Sequence, residues 1–219
     1  RDITERRQAE NDLRKELAEK EVLLKEVHHR VKNNMNVVTS LLRLQKDGIT
    51  TLEDASEAFE QAVHRIHSIA LVHELLYQSD NLARVPMASY IETLIHQLSS
   101  TFGSTPQIKY ITECDDTELN VTTAVPCGII LNELITNAQK YAFTGAGVGT
   151  ITVRMQSVSE ETVELSVHDD GSGLPDDFTI ESATSLGLNL VRMLTEQMEG
   201  NLAIEGSNGS TISLQFPRT

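Results

Sequence analysis

The 219-residue chain carries 18 basic and 32 acidic side chains, a formal net charge of −14, and is 39% hydrophobic. That is enough apolar material for one or two cored domains, and an acidic body excludes a general nucleic-acid binder, which needs a basic face. Apolar runs last only a few residues, so no membrane span or signal peptide is expected within them. The charge is uneven: residues 1–46 hold eleven basic and eight acidic side chains, leaving seven and twenty-four for the remainder. Cys114 and Cys127 match no metal or redox spacing, and a reduced, cytoplasmic compartment is the simplest expectation. The chain opens without Met inside a helical pattern, which reads as a fragment of a longer protein.

From Arg1 to Asp47 there is neither Gly nor Pro. Leu13, Leu17, Lys20, Leu24, Val27, Val31, Asn34, Val38 and Leu41 step by fours and threes. This heptad predicts one helix packed against a partner helix. At about 100° per residue, His29 lies nearly opposite the seam and His28 on its flank, while Lys32 and Asn33 share the face of His29. A neutral imidazole held out from a rigid helix can act as a nucleophile, as phosphoryl capture requires. A lone surface histidine is far more often simply solvated, so the company of His29 has to decide.

Asp47-Gly48 marks a helix stop, and a second helix is expected from Thr51 or Leu52 to about Gln78, with Thr51 as its cap. Ala55, Phe59, Ala62, Val63, Ile66, Ile69, Ala70 and Leu76 give it helical spacing. Two such helices make an antiparallel hairpin, and burying both apolar faces calls for a homodimer in a four-helix bundle. Lys20 and Asn34 on the seam weaken that coil and leave a monomer open. His64, His67 and His73 do not share a metal-ligand spacing.

Ser79-Asp80-Asn81 and Pro86 divide the chain into residues 1–80 and 81–219. The second part predicts a helix from Met87 to Thr101, a strand over 107–112, a helix from Val125 to Tyr141 entered through Pro126, and strands over 149–156 and 162–168. It closes with a helix from Ser185 to Glu199 and strands over 202–205 and 211–216. Helices segregated from mostly antiparallel strands indicate an α+β sandwich.

Three clusters there carry chemistry. On a regular helix Glu133, Asn137, Lys140 and Tyr141 share one face; oxygen donors suit Mg²⁺, and a lysine suits phosphates. Asp169-Asp170-Gly171-Ser172-Gly173 follows a strand, with glycines that let a ligand approach the backbone and a carboxylate able to accept from an amine. Ser185-Leu186-Gly187-Leu188 opens a helix whose free N–H groups suit phosphate. Singly, each has a bland alternative as a solvated face or an ordinary turn.

In order, Asn132 to Tyr141, Asp169 to Gly173, the Gly187 helix, and a terminal strand running from Gly209-Ser210-Thr211 to Phe216-Pro217 resemble the Bergerat ATP-binding fold. Histidine kinases, type II topoisomerases and the mismatch-repair and heat-shock ATPases share that fold. His28-His29-Arg30-Val31-Lys32-Asn33-Asn34 resembles the phosphoacceptor box of a sensor histidine kinase subclass related to the HWE kinases, in which the histidine before the arginine, here His29, is the acceptor. Arg30 stands where the common kinases carry an acidic residue, and Glu26, one turn before His29, is the candidate to take the imidazole proton. Arg1 to Glu10 resembles the exit of a PAS sensor domain. Together the resemblances cover nearly the whole chain.

The resemblance implies ATP and Mg²⁺ as cofactors. It gives Asn137 the Mg²⁺ contact and Asp169 the adenine amine, puts Lys140 and Tyr141 near the phosphates and ribose, and sets Gly171 and Gly173 beside the nucleotide. Gly187 and Leu188 fall at the second glycine box, and Ser210 and Thr211 bond the adenine or its water. Glu133 organises Mg²⁺ in kinases and is the base in the water-activating ATPases. The short lid, Leu174 to Thr184, is in keeping with the same subclass. The implied function is a two-component histidine kinase core that phosphorylates His29 and passes the group to a response-regulator receiver domain, with a PAS-like sensor upstream. An ATPase or serine kinase on the same fold, and a silent signalling scaffold, are the rivals.

Overall fold

The computed structural model describes residues 51–78, 84–101, 107–144, 148–175, 178, 185–206 and 209–218, with isolated positions 7, 14, 39, 42, 43 and 49 before them. The heptad seam, Glu26, His28 and His29 lie outside the described residues, as does most of the lid after Pro175. The chain forms two compact units, Arg1–Arg43 and Leu44–Thr219, and the second is described below. The helix that follows Asp47-Gly48 therefore packs with the sandwich, whereas the motifs divide near residue 80.

The order is α1 (Leu52–Gln78), β1 (Arg84–Pro86), α2 (Met87–Thr101), β2 (Gln107–Cys114), β3 (Glu118–Asn120) and α3 (Val121–Asn137). A π-helical turn (Ala138–Ala142), β4 (Val148–Ser157), β5 (Thr162–Asp169), α4 (Leu186–Gln197), β6 (Asn201–Glu205) and β7 (Ser210–Pro217) follow. Five strands form one sheet in the order β2-β4-β5-β7-β6, with β2 and β4 parallel and the other neighbours antiparallel. The three-residue β1 and β3 pair separately. Strict alternation splits the sheet into two faces. Ile151, Val153, Met155, Val163, Leu165, Val167, Leu214 and Phe216 are buried. On the other face Glu164 accepts from Gln156 (3.3 Å) and Gln215 (2.7 Å). This is the α+β sandwich the sequence predicts.

α3 lies at the centre. Every residue from Thr123 to Thr136 is buried, the mark of a helix enclosed on all sides. It begins four residues before the expected Val125, because Asn120 caps it: Asn120 Oδ1 accepts from Thr123 N–H at 3.0 Å. Pro126 thus sits inside the helix, where it removes one intrahelical bond. Replacing Asn120 by Ala is expected to cost about 1 kcal/mol, measured as a lower urea midpoint; an unchanged midpoint means the cap is idle.

α1 starts with a capping box: Thr51 Oγ1 accepts from Asp54 N–H (3.1 Å) and Asp54 Oδ2 accepts from Thr51 N–H (2.9 Å). Ala62, Arg65, Ile69 and Val72 form its buried line, packed on α3, while Leu52, Phe59, Val63 and Ile66 form a second, exposed apolar stripe. Tyr90 of α2 donates to the Ser68 carbonyl of α1 (3.2 Å) and fills the space beside Gly128 of α3, where a Cβ would lie 1.7 Å from its Oη. One buried phenol therefore sets the mutual spacing of three helices.

Candidate nucleotide site

A cavity of about 340 Å³ opens between α3, the ends of β5 and β7, and the start of α4. That volume lies in the range of small-molecule sites. Its floor is mostly apolar, with Leu134, Ala138, Val167 and Ile212 contributing.

Asp169, the last residue of β5, supplies the buried charge; it is 4% exposed. Its Oδ1 accepts from the N–H of Gly171 (3.0 Å) and of Ser210 (3.4 Å), and its Oδ2 accepts from the Ser210 hydroxyl. Neighbouring Asp170 turns away and accepts from Thr150 N–H at 2.6 Å. Strand alternation separates the two carboxylates, and it separates Ser210 from Thr211 in the same way. Ser210 lines the cavity with Asp169, whereas Thr211 Oγ1 meets His168 Nδ1 at 2.9 Å on the other face. The joint role expected of Ser210 and Thr211 is therefore divided, and only Ser210 borders the cavity.

The glycines act differently from one another. A Cβ on Gly171 would lie 2.3 Å from the Ala142 carbonyl oxygen, which also accepts from Ser172 N–H at 2.9 Å. Gly171 thus lets the turn close on the helix end, outside the cavity lining. Gly173 does line the cavity, with φ +75. Gly209, to which the sequence motifs assign no role, has φ +85, and a Cβ there would lie 1.8 Å from the Asp169 carbonyl oxygen. At the start of α4, Ser185 Oγ accepts from Leu188 N–H (3.4 Å), and both residues line the cavity.

The predicted face of Glu133, Asn137, Lys140 and Tyr141 is broken by the π turn, a feature common at functional sites. Asn137 and Tyr141 border the cavity, Tyr141 at 65% exposure. Lys140 does not line it. Its charge is felt at His64 of α1, whose pKa is held below the usual value first by burial and then by His67 and Lys140, with Glu60 and Glu133 opposing. Glu133 faces α1: Arg65 Nε donates to Oε1 (2.6 Å) and Nη2 to Oε2 (3.0 Å), both side chains being buried. Arg65 has no local motif to announce it. Its signal is a charge on an apolar line, at steps of three and four from Ala62 and Ile69.

Among the described residues no group of three or more His, Cys, Asp or Glu could hold a metal. Mg²⁺ bound with a nucleotide needs only one or two protein ligands besides phosphates and water, and the Asn137 amide at the cavity wall fits that demand.

Residues 26–102 match the family model described as "Histidine kinase", and residues 123–219 match "Histidine kinase-, DNA gyrase B-, and HSP90-like ATPase". The sensor histidine kinase PdtaS of Mycobacterium tuberculosis is 33% identical over 99% of this chain, which spans 43% of that relative. A blue-light-activated histidine kinase 2 of Erythrobacter litoralis is 27% identical over 89% of this chain and 56% of its own length. The chain thus spans roughly half of these relatives. The solved histidine kinase domain of an Erythrobacter litoralis blue-light activated kinase shares the fold, with a TM-score of 0.71 at 24% identity over 89% of this chain and 93% of that one.

Proposed function

Because this chain belongs to the sensor histidine kinases, carrying the phosphoacceptor and ATPase regions of that family in order, we propose that it transfers the γ-phosphoryl group of ATP to its own His29. The phosphoryl group then passes to an aspartate on a response-regulator receiver domain. A His29 ring nitrogen attacks the γ-phosphorus, the bond to the β,γ-bridging oxygen breaks, and ADP leaves with the electron pair. The ring's other N–H gives up its proton, with Glu26 the candidate acceptor. The ATPase-type domain implies an ATP site, and the observation that carries its orientation is Asp169, a buried carboxylate lining a mostly apolar cavity. Asp169 takes the adenine amine, and Ser210 holds the carboxylate for it. Asn137 holds Mg²⁺, which when bound offsets phosphate charge. Tyr141 serves the phosphates and ribose from the cavity wall and Lys140 adds its charge from outside the lining, while the α4 start borders them at Leu188, with Gly187 turned to Glu133.

A water-activating ATPase is disfavoured by one contact. Both oxygens of Glu133, the base such an enzyme needs, accept from Arg65. A PAS-like sensor upstream, a homodimer through the hairpin, and a cytoplasmic setting complete the reading. Among the described residues no helix is long and apolar enough to cross a membrane, and both cysteines are free.

Incubation with γ-labelled ATP and Mg²⁺ tests this. Wild type and His28→Gln are expected to take up acid-labile, alkali-stable label, and His29→Gln none. Label lost only in His28→Gln moves the acceptor by one residue. No label in wild type, despite nucleotide binding, overturns the kinase reading.

A further inference from the structure

We propose that Arg65 is a positioning residue for phosphoryl transfer, acting through Glu133 to hold the phosphate end of the nucleotide site in register with α1. This rests on the kinase reading above. Arg65 and Glu133 are 68 positions apart, and their side chains are 1% and 7% exposed. The fork at 2.6 and 3.0 Å is joined by Asn132 Nδ2, which donates to Oε1 at 3.4 Å, and by Gln61 Oε1, which accepts from Nη2 at 3.5 Å. The carboxylate reaches further: Glu133 Oε2 lies 2.5 Å from the point where a Cβ on residue 187 would stand, and Asn137 Nδ2 lies 3.9 Å from the same point. The fork thus ties α1 to α3, and its carboxylate crowds the first turn of α4 at Gly187, with the Asn137 amide beside the same point. Asp169, Gly171 and Ser210, at the adenine end, hold one another without it.

Stability is a poor reason for such a pair. Desolvating two charges offsets most of their attraction, and apolar residues of equal volume serve as well. Among the described residues, Arg65 Nη1 is moreover buried without a hydrogen-bond partner, an added burden. What a bidentate fork supplies, and an apolar contact or a lysine cannot, is a fixed direction and distance. Loss of the fork therefore leaves adenine recognition in place and misplaces the phosphates, and a displacement near 1 Å costs about 100-fold in rate.

The test uses Arg65→Lys in the full chain, with folding followed by thermal denaturation. ADP affinity and the initial labelling rate at saturating ATP are measured side by side. The expected result is ADP affinity within about threefold of wild type and a labelling rate lower by about 100-fold. A folded variant that labels within about threefold of wild type overturns the proposal, as does an affinity that falls as far as the rate, the mark of a general prop. Where Arg65→Lys does not fold, Glu133→Gln is compared with Arg65→Gln/Glu133→Gln. A residue acting through Glu133 adds less than about threefold to the loss, and multiplied losses overturn the inference. Wild type that binds ADP but never labels defeats the kinase reading instead.

Discussion

Asp169→Asn is expected to lower ATP and ADP affinity by about 100-fold, or roughly 2.7 kcal/mol, while the fold survives. The carboxylate accepts from Gly171 N–H, Ser210 N–H and the Ser210 hydroxyl. An ionised carboxylate has acceptor capacity left for a ligand amine, whereas an amide must turn its NH₂ either toward those donors or toward the ligand. Either orientation leaves donors facing each other in a site that is 4% exposed, where unmatched polar groups are costly. Isothermal calorimetry with ADP decides the matter: affinity within about threefold of wild type would remove Asp169 from the site.

Gly209→Ala carries the largest expected stability loss. Its φ of +85 is disfavoured for an L side chain, and a Cβ would stand 1.8 Å from the Asp169 carbonyl oxygen and 2.9 Å from Asp170 Cα. Both obstacles are backbone, so no rotamer change relieves them. Backbone strain of about 1–3 kcal/mol adds to overpacking of similar size, giving roughly 4 kcal/mol. For a chain of this length that corresponds to a drop in Tm of about 10 °C. Nucleotide binding should weaken too, since the strand pairing Ser210 with Asp169 begins at this turn. A thermal melt within about 2 °C of wild type would show that the turn has another conformation available.

The amphipathic helices and alternating strands were legible because their patterns are local. Met87 to Thr101 and the runs 149–156 and 162–168 each carry one face's burial in their own residues, and the structure returns them nearly unchanged. Where two local signals compete, a helix boundary is poorly encoded. Pro126 drew the start of α3 four residues late, because Asn120 is followed by Val-Thr-Thr, an unpromising helix opening. The π turn has no sequence signature, and along it Tyr141 borders the cavity while Lys140 does not. The parallel β2–β4 pair and the Arg65–Glu133 fork join residues far apart in sequence, which no local periodicity encodes. Of the site, Asp169, Gly173, Leu188 and Ser210 were readable as residues, but the division of labour between Ser210 and Thr211 needed the register of β7 against β5.

The two stripes of α1 restrict how that helix can move. At 100° per residue, the line of Ala62, Arg65, Ile69 and Val72 and the line of Leu52, Phe59, Val63 and Ile66 lie about 110° apart. Rolling α1 about its axis by that angle would drag the guanidinium out from α3 and leave the buried Glu133 carboxylate without its cation. Sliding by a full turn would bring Ile69 or Ser68 opposite Glu133 in place of Arg65. The shaft is keyed: torque applied along α1 is delivered to α3, since slipping against it means breaking the fork first.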